Sequence, residues 1–320
     1  MKYFAIINPI AGTRSKADIA SLIIRMLSRE DCSVDIHTTT GPGDATRIAR
    51  RAAAENFDVV IACGGDGTVN EVASGLIGTS TALAILPIGS GNGLARHLRI
   101  PLDPLAALKV ISAGKTLLCD YCTVNNRPFF CTFGVGFDAE VSHDFARKPR
   151  RGLTNYVRSC IAVIKKFKPL EYKISVNSQT LADKAFLVVC CNASQYGNNA
   201  FIAPGADIQD GKMDLIIIHE TNLYQDLILG AELATGLLYA DPNIKAILTT
   251  EVRIESPSEI DVVAHLDGEP INLHYPLTIL VHQAKLNIIA PAKPPKFIPL
   301  ITPFYLHTLN IFHNLKSLFK

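Results

Sequence analysis

The sequence contains no apolar run of the ~18 to 20 residues that a membrane-crossing helix requires. Its first apolar segment, Tyr3 to Ile7, stops at Asn8-Pro9 and is too short for the core of a secretory signal. A cytoplasmic protein is expected, at most peripheral to a membrane. Net charge is also small: 31 Lys+Arg against 29 Asp+Glu leave +2 in 320 residues. That balance excludes a globally basic nucleic-acid binder, so no nucleic acid is expected as a partner. Cysteines number eight and are scattered, mostly in strand-like segments such as Cys190-Cys191. Cys119 and Cys122 form a CxxC with no second pair, and on a strand they point to opposite faces. Reduced, buried thiols fit this better than a disulfide framework or a zinc site. The nine histidines form no metal-spaced cluster, and no repeat or low-complexity tract is evident.

What is present is a core-forming composition, 48% hydrophobic with a mean hydropathy of +0.22. Apolar runs at Tyr3 to Ile7, Val34 to His37, Val59 to Cys63 and Ala82 to Leu86 alternate with helical stretches at Ser15 to Arg29, Gly43 to Asn56 and Thr68 to Gly78. This alternation predicts an α/β domain, a doubly wound parallel sheet with helices on both faces. Pro101 to Ala113 reads as a further helix. After about Leu117 apolar runs follow one another through hairpin-type turns at Asn125-Asn126, Asn177-Ser178 and Asp267-Gly268. That texture predicts a β-sandwich-like domain with a few helices, at Thr154 to Phe167 and Leu223 to Tyr239. The expected division is 1–120 for the α/β domain and 121–290 for the β-rich one, with 291–320 returning to the first.

Three glycine-bearing turns follow predicted parallel strands at their C-terminal ends, where open α/β sheets bind ligands. The first, Asn8 to Gly12, leads through Arg14 and Lys16 into a helix. It is not GxGxxG, which disfavours a dinucleotide-binding dehydrogenase, but its amides and nearby cations suit a phosphate. In the second, Gly64-Gly65-Asp66-Gly67-Thr68, glycines let consecutive N–H groups converge on phosphate oxygens at a helix N-terminus. Asp66 is repelled by such a phosphate unless a cation bridges the two, and Mg²⁺ is the natural bridge. The bland alternative is a helix cap. The third, Leu86 to Gly93, places Ser90 and Asn92 at the same edge.

INPIAG, GGDGTVNE and LPIGSGNGLAR, in that order, resemble the catalytic domain of the diacylglycerol kinase and sphingosine kinase superfamily, most of all its soluble bacterial type. Thr132 to Ala139 resembles the family's Gly-Phe-Asp-Ala segment. Ala203-Pro204 through Asp214 resembles its Pro…Asp-Gly stretch, and Leu266 to Glu269 its Asp-Gly-Glu. GGDGT also occurs in NAD kinases, so alone it marks only the wider group.

The resemblance implies an ATP- and Mg²⁺-dependent lipid kinase, most simply one converting diacylglycerol to phosphatidic acid. It implies ATP contacts from Asn8, Pro9, Gly12, Thr40, Gly65, Asp66, Gly67, Thr68, Asn70, Glu71 and Ser90. Arg14, Gly64 and Asn92, in the same turns, complete the expected ATP site. Asp66 is expected nearest the transferred phosphate and its magnesium. Glu269 matches the base that takes the lipid hydroxyl proton, and Asp267 either supports it or merely forms the turn. Asp207, Asp210 and the main-chain carbonyl of Lys212 match a structural magnesium site. Two departures, Gly197-Asn198-Asn199 for consecutive glycines and Gly93 for an acidic residue, leave the acceptor lipid open.

A lipid substrate requires contact with a bilayer. Phe145 to Leu170 holds eight of the 31 basic residues (Arg147, Lys148, Arg150, Arg151, Arg158, Lys165, Lys166, Lys168) and no acid. Such a stretch suits an anionic membrane surface, against the plain reading of a solvated helix face. Thr302 to Lys320 reads as a helix lying on the membrane or docked on the first domain. A second copy of the chain is admitted as a partner. Competing functions are a kinase of another lipid (a sphingoid base or a phosphatidylglycerol-like lipid), a NAD kinase-like activity, and a catalytically silent nucleotide or lipid sensor.

Overall fold

The computed structural model describes residues 1–12, 15–148, 152–219, 223–238, 243–257 and 260–292. Arg14, Arg150, Arg151 and the segment 302–320 lie outside the described residues, as does all but the start of the expected 291–320 return. In the first domain β1 (Lys2–Ile7), α1 (Lys16–Leu27), β2 (Ser33–Thr38), α2 (Asp44–Ala54), β3 (Val59–Gly64), α3 (Asp66–Leu76) and β4 (Ala82–Pro87) alternate as expected. β1 pairs in parallel with β2 and β3, and β3 with β4. Every residue of β3 and β4 is buried, as strands covered on both faces must be. α1 packs beside α5 (Pro104–Ala113), and α2 beside α3. Val69, Val72, Ala73 and Leu76 form the buried face of α3, as their i, i+3, i+4, i+7 spacing predicts. Gly75 brings α3 against α2, since a methyl there would lie 2.7 Å from Thr46 O.

The second domain is built from β5 (Lys115–Val124), β6 (Arg127–Phe129), β7 (Thr132–Gly136), α6 (Phe137–Ala146), α7 (Leu153–Ile164), β8 (Leu170–Val176), β9 (Gln179–Cys191), β10 (Met213–His219), α8 (Leu223–Thr235), β11 (Ile244–Thr249), β12 (Glu251–Glu255), β13 (Asp261–Leu266), β14 (Glu269–His274) and β15 (Leu277–Ala290). The three expected hairpin turns carry positive φ at both central residues: 45° and 66°, 48° and 61°, 49° and 83°. From Ala185 to Cys191, β9 is buried on both faces. Val188 and Cys190 join the sandwich core with Phe133, Tyr172 and Leu215, while Leu187, Val189 and Cys191 pack under the helices with Phe186 and Phe137. Cys119 and Cys122 likewise fall in different cores. Burial pushes the Cys119 thiol up to about 12, so these thiols are inert packing groups.

One long pair joins the domains. β15 runs antiparallel to β5 from Ile279↔Val124 to Ala290↔Lys115 and touches β4 in parallel at Ile288↔Leu83. Its last residues, Leu286, Ile288, Ile289 and Ala290, are buried in the first domain's core. The chain therefore returns to its first sheet before residue 291, through a strand rather than a link.

Two helices differ from the sequence reading. α4 (Gly93–His97) has five residues, too few for periodicity to register. α6 follows β7 with no polar break, because Gly136, at φ 98°, makes the turn within one residue. α3 also begins two residues earlier than expected, which moves Asp66 and Gly67 from the loop into its first turn.

Candidate active site

Residues following β1, β3 and β4 interlock without side chains between them. A methyl on Gly12 would meet Ile88 O at 2.2 Å, and one on Gly89 would meet Gly65 Cα at 2.3 Å. Only glycine permits that approach. Asn8 fixes the first turn: its N–H donates to Cys63 O at 3.0 Å, its Nδ2 to Thr68 Oγ1 at 2.9 Å, and its Oδ1 accepts from Ile10 N at 3.1 Å. Lys16 Nζ donates to Ala11 O in the same turn. Pro9, Gly12 and Ser90 are exposed around this seam. Gly64 accommodates Thr68, whose hydroxyl would lie 2.3 Å from a methyl there.

Asp66 is the acidic centre of the seam. Its two oxygens accept from Asn92 N at 2.8 Å and Gly93 N at 2.6 Å. Burial pushes its carboxyl up to about 6, the two amides work against this, and the Asp267 charge adds to it. The third turn is thus a clasp for Asp66 as well as a rim of small donors. Asn92 sits at φ 55° and braces the clasp by donating from Nδ2 to Gly89 O.

The second carboxylate comes from the other domain. Glu269 opens β14 and reaches across to α3, with Oε1 3.5 Å from where a methyl on Gly67 would stand. Asp267 supports it and does more than form the turn. Its carboxylate accepts from Asn70 Nδ2 at 2.8 Å, Phe130 N at 3.0 Å, Cys131 N at 2.7 Å and Thr132 N at 3.0 Å. Burial raises its carboxyl, opposed by those four donors. Asn70 and Glu71, also expected to touch ATP, have side-chain partners within the protein. Asn70 ties α3 to Asp267. Glu71 accepts from Gly43 N at 2.8 Å and Ala45 N at 3.1 Å, capping α2. Thr40 stays exposed, donating from its N–H and hydroxyl to Asp44.

A loop of the second domain covers the clasp. Gly197 lies so close that a methyl on it would be 2.9 Å from Gly91 O, and Asn198 N donates to Gly91 O at 3.2 Å. Gly197, Asn198 and Asn199 all carry positive φ, a conformation that asparagine tolerates among non-glycine residues, so the departure from consecutive glycines preserves the backbone. His97 Nδ1 accepts from Ser194 N at 3.1 Å, and burial lowers its imidazole to about 4. Beneath this loop Asp138 accepts from Tyr196 OH at 2.8 Å and pairs with His265 Nε2 at 2.9 Å. The sequence reading gave these three no role. The one available signal was the Asp of Gly-Phe-Asp-Ala, since its partners lie 58 and 127 residues away.

Asp207 and Asp210 are exposed on one turn, each accepting an amide two residues on, from Gln209 and Lys212. Behind the turn the buried Asp120 accepts from Gly211 N and Ala284 N, both at 2.7 Å. Two exposed carboxylates and a carbonyl match the oxygen donors of a hydrated hard cation. No group of three or more His, Cys, Asp or Glu converges among the described residues.

A doubly wound sheet with glycine turns at its strand ends, faced by a sandwich that delivers a carboxylate, defines a two-domain phosphotransferase. Residues 2–124 match the diacylglycerol kinase catalytic domain, and residues 131–290 match the YegS C-terminal NAD kinase beta sandwich-like domain. The chain is 28% identical to a diacylglycerol kinase of Bacillus subtilis (strain 168) over 269 residues, 82% of this chain and 88% of that one. It is 28% identical to a diacylglycerol kinase of Staphylococcus aureus (strain bovine RF122 / ET3-1) over 291 residues, 89% and 91% of the two. Among solved structures it resembles a candidate diacylglycerol kinase of Bacillus anthracis str. Sterne, with TM-score 0.76, 26% identity and coverage of 90% of this chain and 97% of that one. The chain belongs to the diacylglycerol kinase family of lipid kinases, and with it to the phosphotransferases that act on an alcohol group.

Proposed function

We propose that the protein transfers the γ-phosphoryl group of ATP, with Mg²⁺, to the free hydroxyl of diacylglycerol, giving phosphatidic acid and ADP. The observation that carries this reading is that Glu269, from the second domain, reaches Gly67 at the head of α3, beside Asp66 of the first. ATP phosphates lie against the glycine turns at Asn8 to Gly12, Gly64 to Thr68 and Ser90. Asp66 fits a cation: each of its oxygens keeps a second lone pair beside the amide it accepts, and a cation offsets the burial that raises its carboxyl. The metal supplies charge neutralisation for the phosphates. Glu269 takes the hydroxyl proton as the lipid oxygen bonds to phosphorus and the bond to ADP breaks. Asp207, Asp210 and the Lys212 carbonyl hold a structural Mg²⁺ on the turn braced by Asp120.

The lipid is met at an anionic membrane surface. No helix of the described residues is long and apolar enough to cross a membrane. α7 exposes Thr154, Val157, Arg158, Ile161 and Ala162, followed by Lys165; Val157 is 46% and Ile161 53% exposed. Apolar and basic groups on one helical stripe suit the headgroup boundary. The test is transfer from γ-labelled ATP, with and without Mg²⁺, in separate assays with diacylglycerol, a sphingoid base or phosphatidylglycerol in anionic vesicles, and with NAD. Labelled phosphatidic acid that requires Mg²⁺ is expected. Label in a sphingoid phosphate, a phosphorylated phosphatidylglycerol or NADP replaces the substrate, and no transfer to any acceptor refutes the kinase reading.

A further inference from the structure

The two carboxylates at the head of α3 belong to different domains, so some part of the fold must fix their separation. Asp138 holds a reference point for both. It is 5% exposed and lies in the first turn of α6, with Oδ1 accepting from Ala139 N at 2.9 Å. Its Oδ2 meets Tyr196 OH at 2.8 Å and His265 Nε2 at 2.9 Å. Toward Asp66, Tyr196 leads into the Gly197-Asn198 loop packed on Gly91, beside the two amides that clasp Asp66. Toward Glu269, His265 is 1% exposed and presents Nδ1 to Gly268 N at 3.4 Å, one residue before Glu269. Gly134 leaves the room for this junction: a methyl there would lie 2.3 Å from Asp138 Oδ2 and 2.5 Å from His265 Nε2.

The chemistry of the ends assigns the imidazole. Gly268 N–H can only donate, so Nδ1 accepts and the ring proton sits on Nε2, directed at Asp138. We propose that His265 is a positioning residue, which with Asp138 as its anchor holds the 267–269 turn so that Glu269 faces the acceptor hydroxyl. The proposal rests on reading Glu269 as the base. Misplacing a reacting group by about 1 Å can lower turnover on the order of a hundredfold, whereas nucleotide binding, which uses the other domain, is left alone.

Two substitutions separate the ends of the ring. His265→Gln places a donor where Nε2 stood and keeps Asp138 satisfied, but offers Gly268 no acceptor. His265→Asn places an oxygen where Nδ1 stood and keeps Gly268, but abandons Asp138. The expected result is that His265→Gln loses kcat by about 30-fold or more with KM for ATP unchanged, while His265→Asn melts at a lower temperature yet retains the higher kcat. A purely structural histidine gives the reverse order, activity following melting temperature, and that order overturns the proposal, as does unchanged kcat in both. If neither variant folds, Asp138→Asn decides, since it removes the acceptor of the His265 Nε2 proton: a several-fold fall in kcat at constant KM for ATP supports the linkage, and unchanged kcat overturns it. Glu269→Gln runs alongside. Turnover surviving in that variant removes the base reading and the proposal with it; loss of turnover in Glu269→Gln with normal His265 variants removes the proposal alone.

Discussion

The two halves of the site are put together by different physics. In the α/β domain the ligand-facing turns are contiguous pieces of sequence, and parallel topology alone brings them to one edge, because each right-handed crossover returns the next strand in the same direction. In the sandwich domain the single working turn is an ordinary hairpin. Its place is set by Asp267, which gathers donors from α3 and from the stretch after β6. One half is determined locally, the other by tertiary hydrogen bonds.

The largest effect should come from removing either carboxylate. Asp66→Asn and Glu269→Gln are each expected to lower kcat by about a thousandfold or more with the melting curve preserved. If only the Asp66 variant fails, the second domain contributes scaffolding and the comparison collapses. Next come the supports. Asp267→Ala leaves four donors without their acceptor and should cost about 3 kcal/mol of stability, measured by denaturant unfolding. Gly89→Ala should cost a similar amount by forcing the second and third turns apart, but should raise KM for ATP, which Asp267→Ala should leave nearly unchanged.

A pH series sharpens the join between the halves. Burial lowers His97 from 6.5 to about 4, so its neutral form stabilises the folded state above pH 6.5. That contribution is lost as pH falls from about 6.5 to about 4, where the unfolded chain binds a proton that the folded one refuses. His97→Asn keeps an acceptor for Ser194 and should flatten the fall in melting temperature over that window. The smallest effect belongs to the surface: Arg158→Glu or Lys165→Glu should weaken binding to anionic vesicles by about 1 kcal/mol or more per site and leave the melting temperature unaltered.

Legibility followed the same division. The alternation of strands and helices, the face of α3 and the three glycine turns were readable because each depends on a window of a few residues. Asp66 could be singled out because a carboxylate among phosphate-binding amides is an anomaly. Its amide clasp was not readable, since Asn92 and Gly93 lie 26 and 27 residues on and look like further phosphate donors. The internal partners of Asn70 and Glu71 were equally illegible: beside a glycine turn the two resemble ligand contacts, and only the packing of α2 and the 267–269 turn shows what their side chains also hold. α6 escaped because Gly136 makes the turn within one residue and leaves no loop between strand and helix.

By itself the sequence determined the parallel sheet, the glycines where backbones must touch, and the carboxylate set among the glycine turns, because φ preference, periodicity and charge act within a few residues. The tertiary structure alone decided that Glu269 reaches the head of α3, that β15 closes the first sheet, and that Tyr196 and His265 share one buried oxygen of Asp138. Those outcomes depend on which groups lose water together, and that is settled only when the two domains are packed against each other.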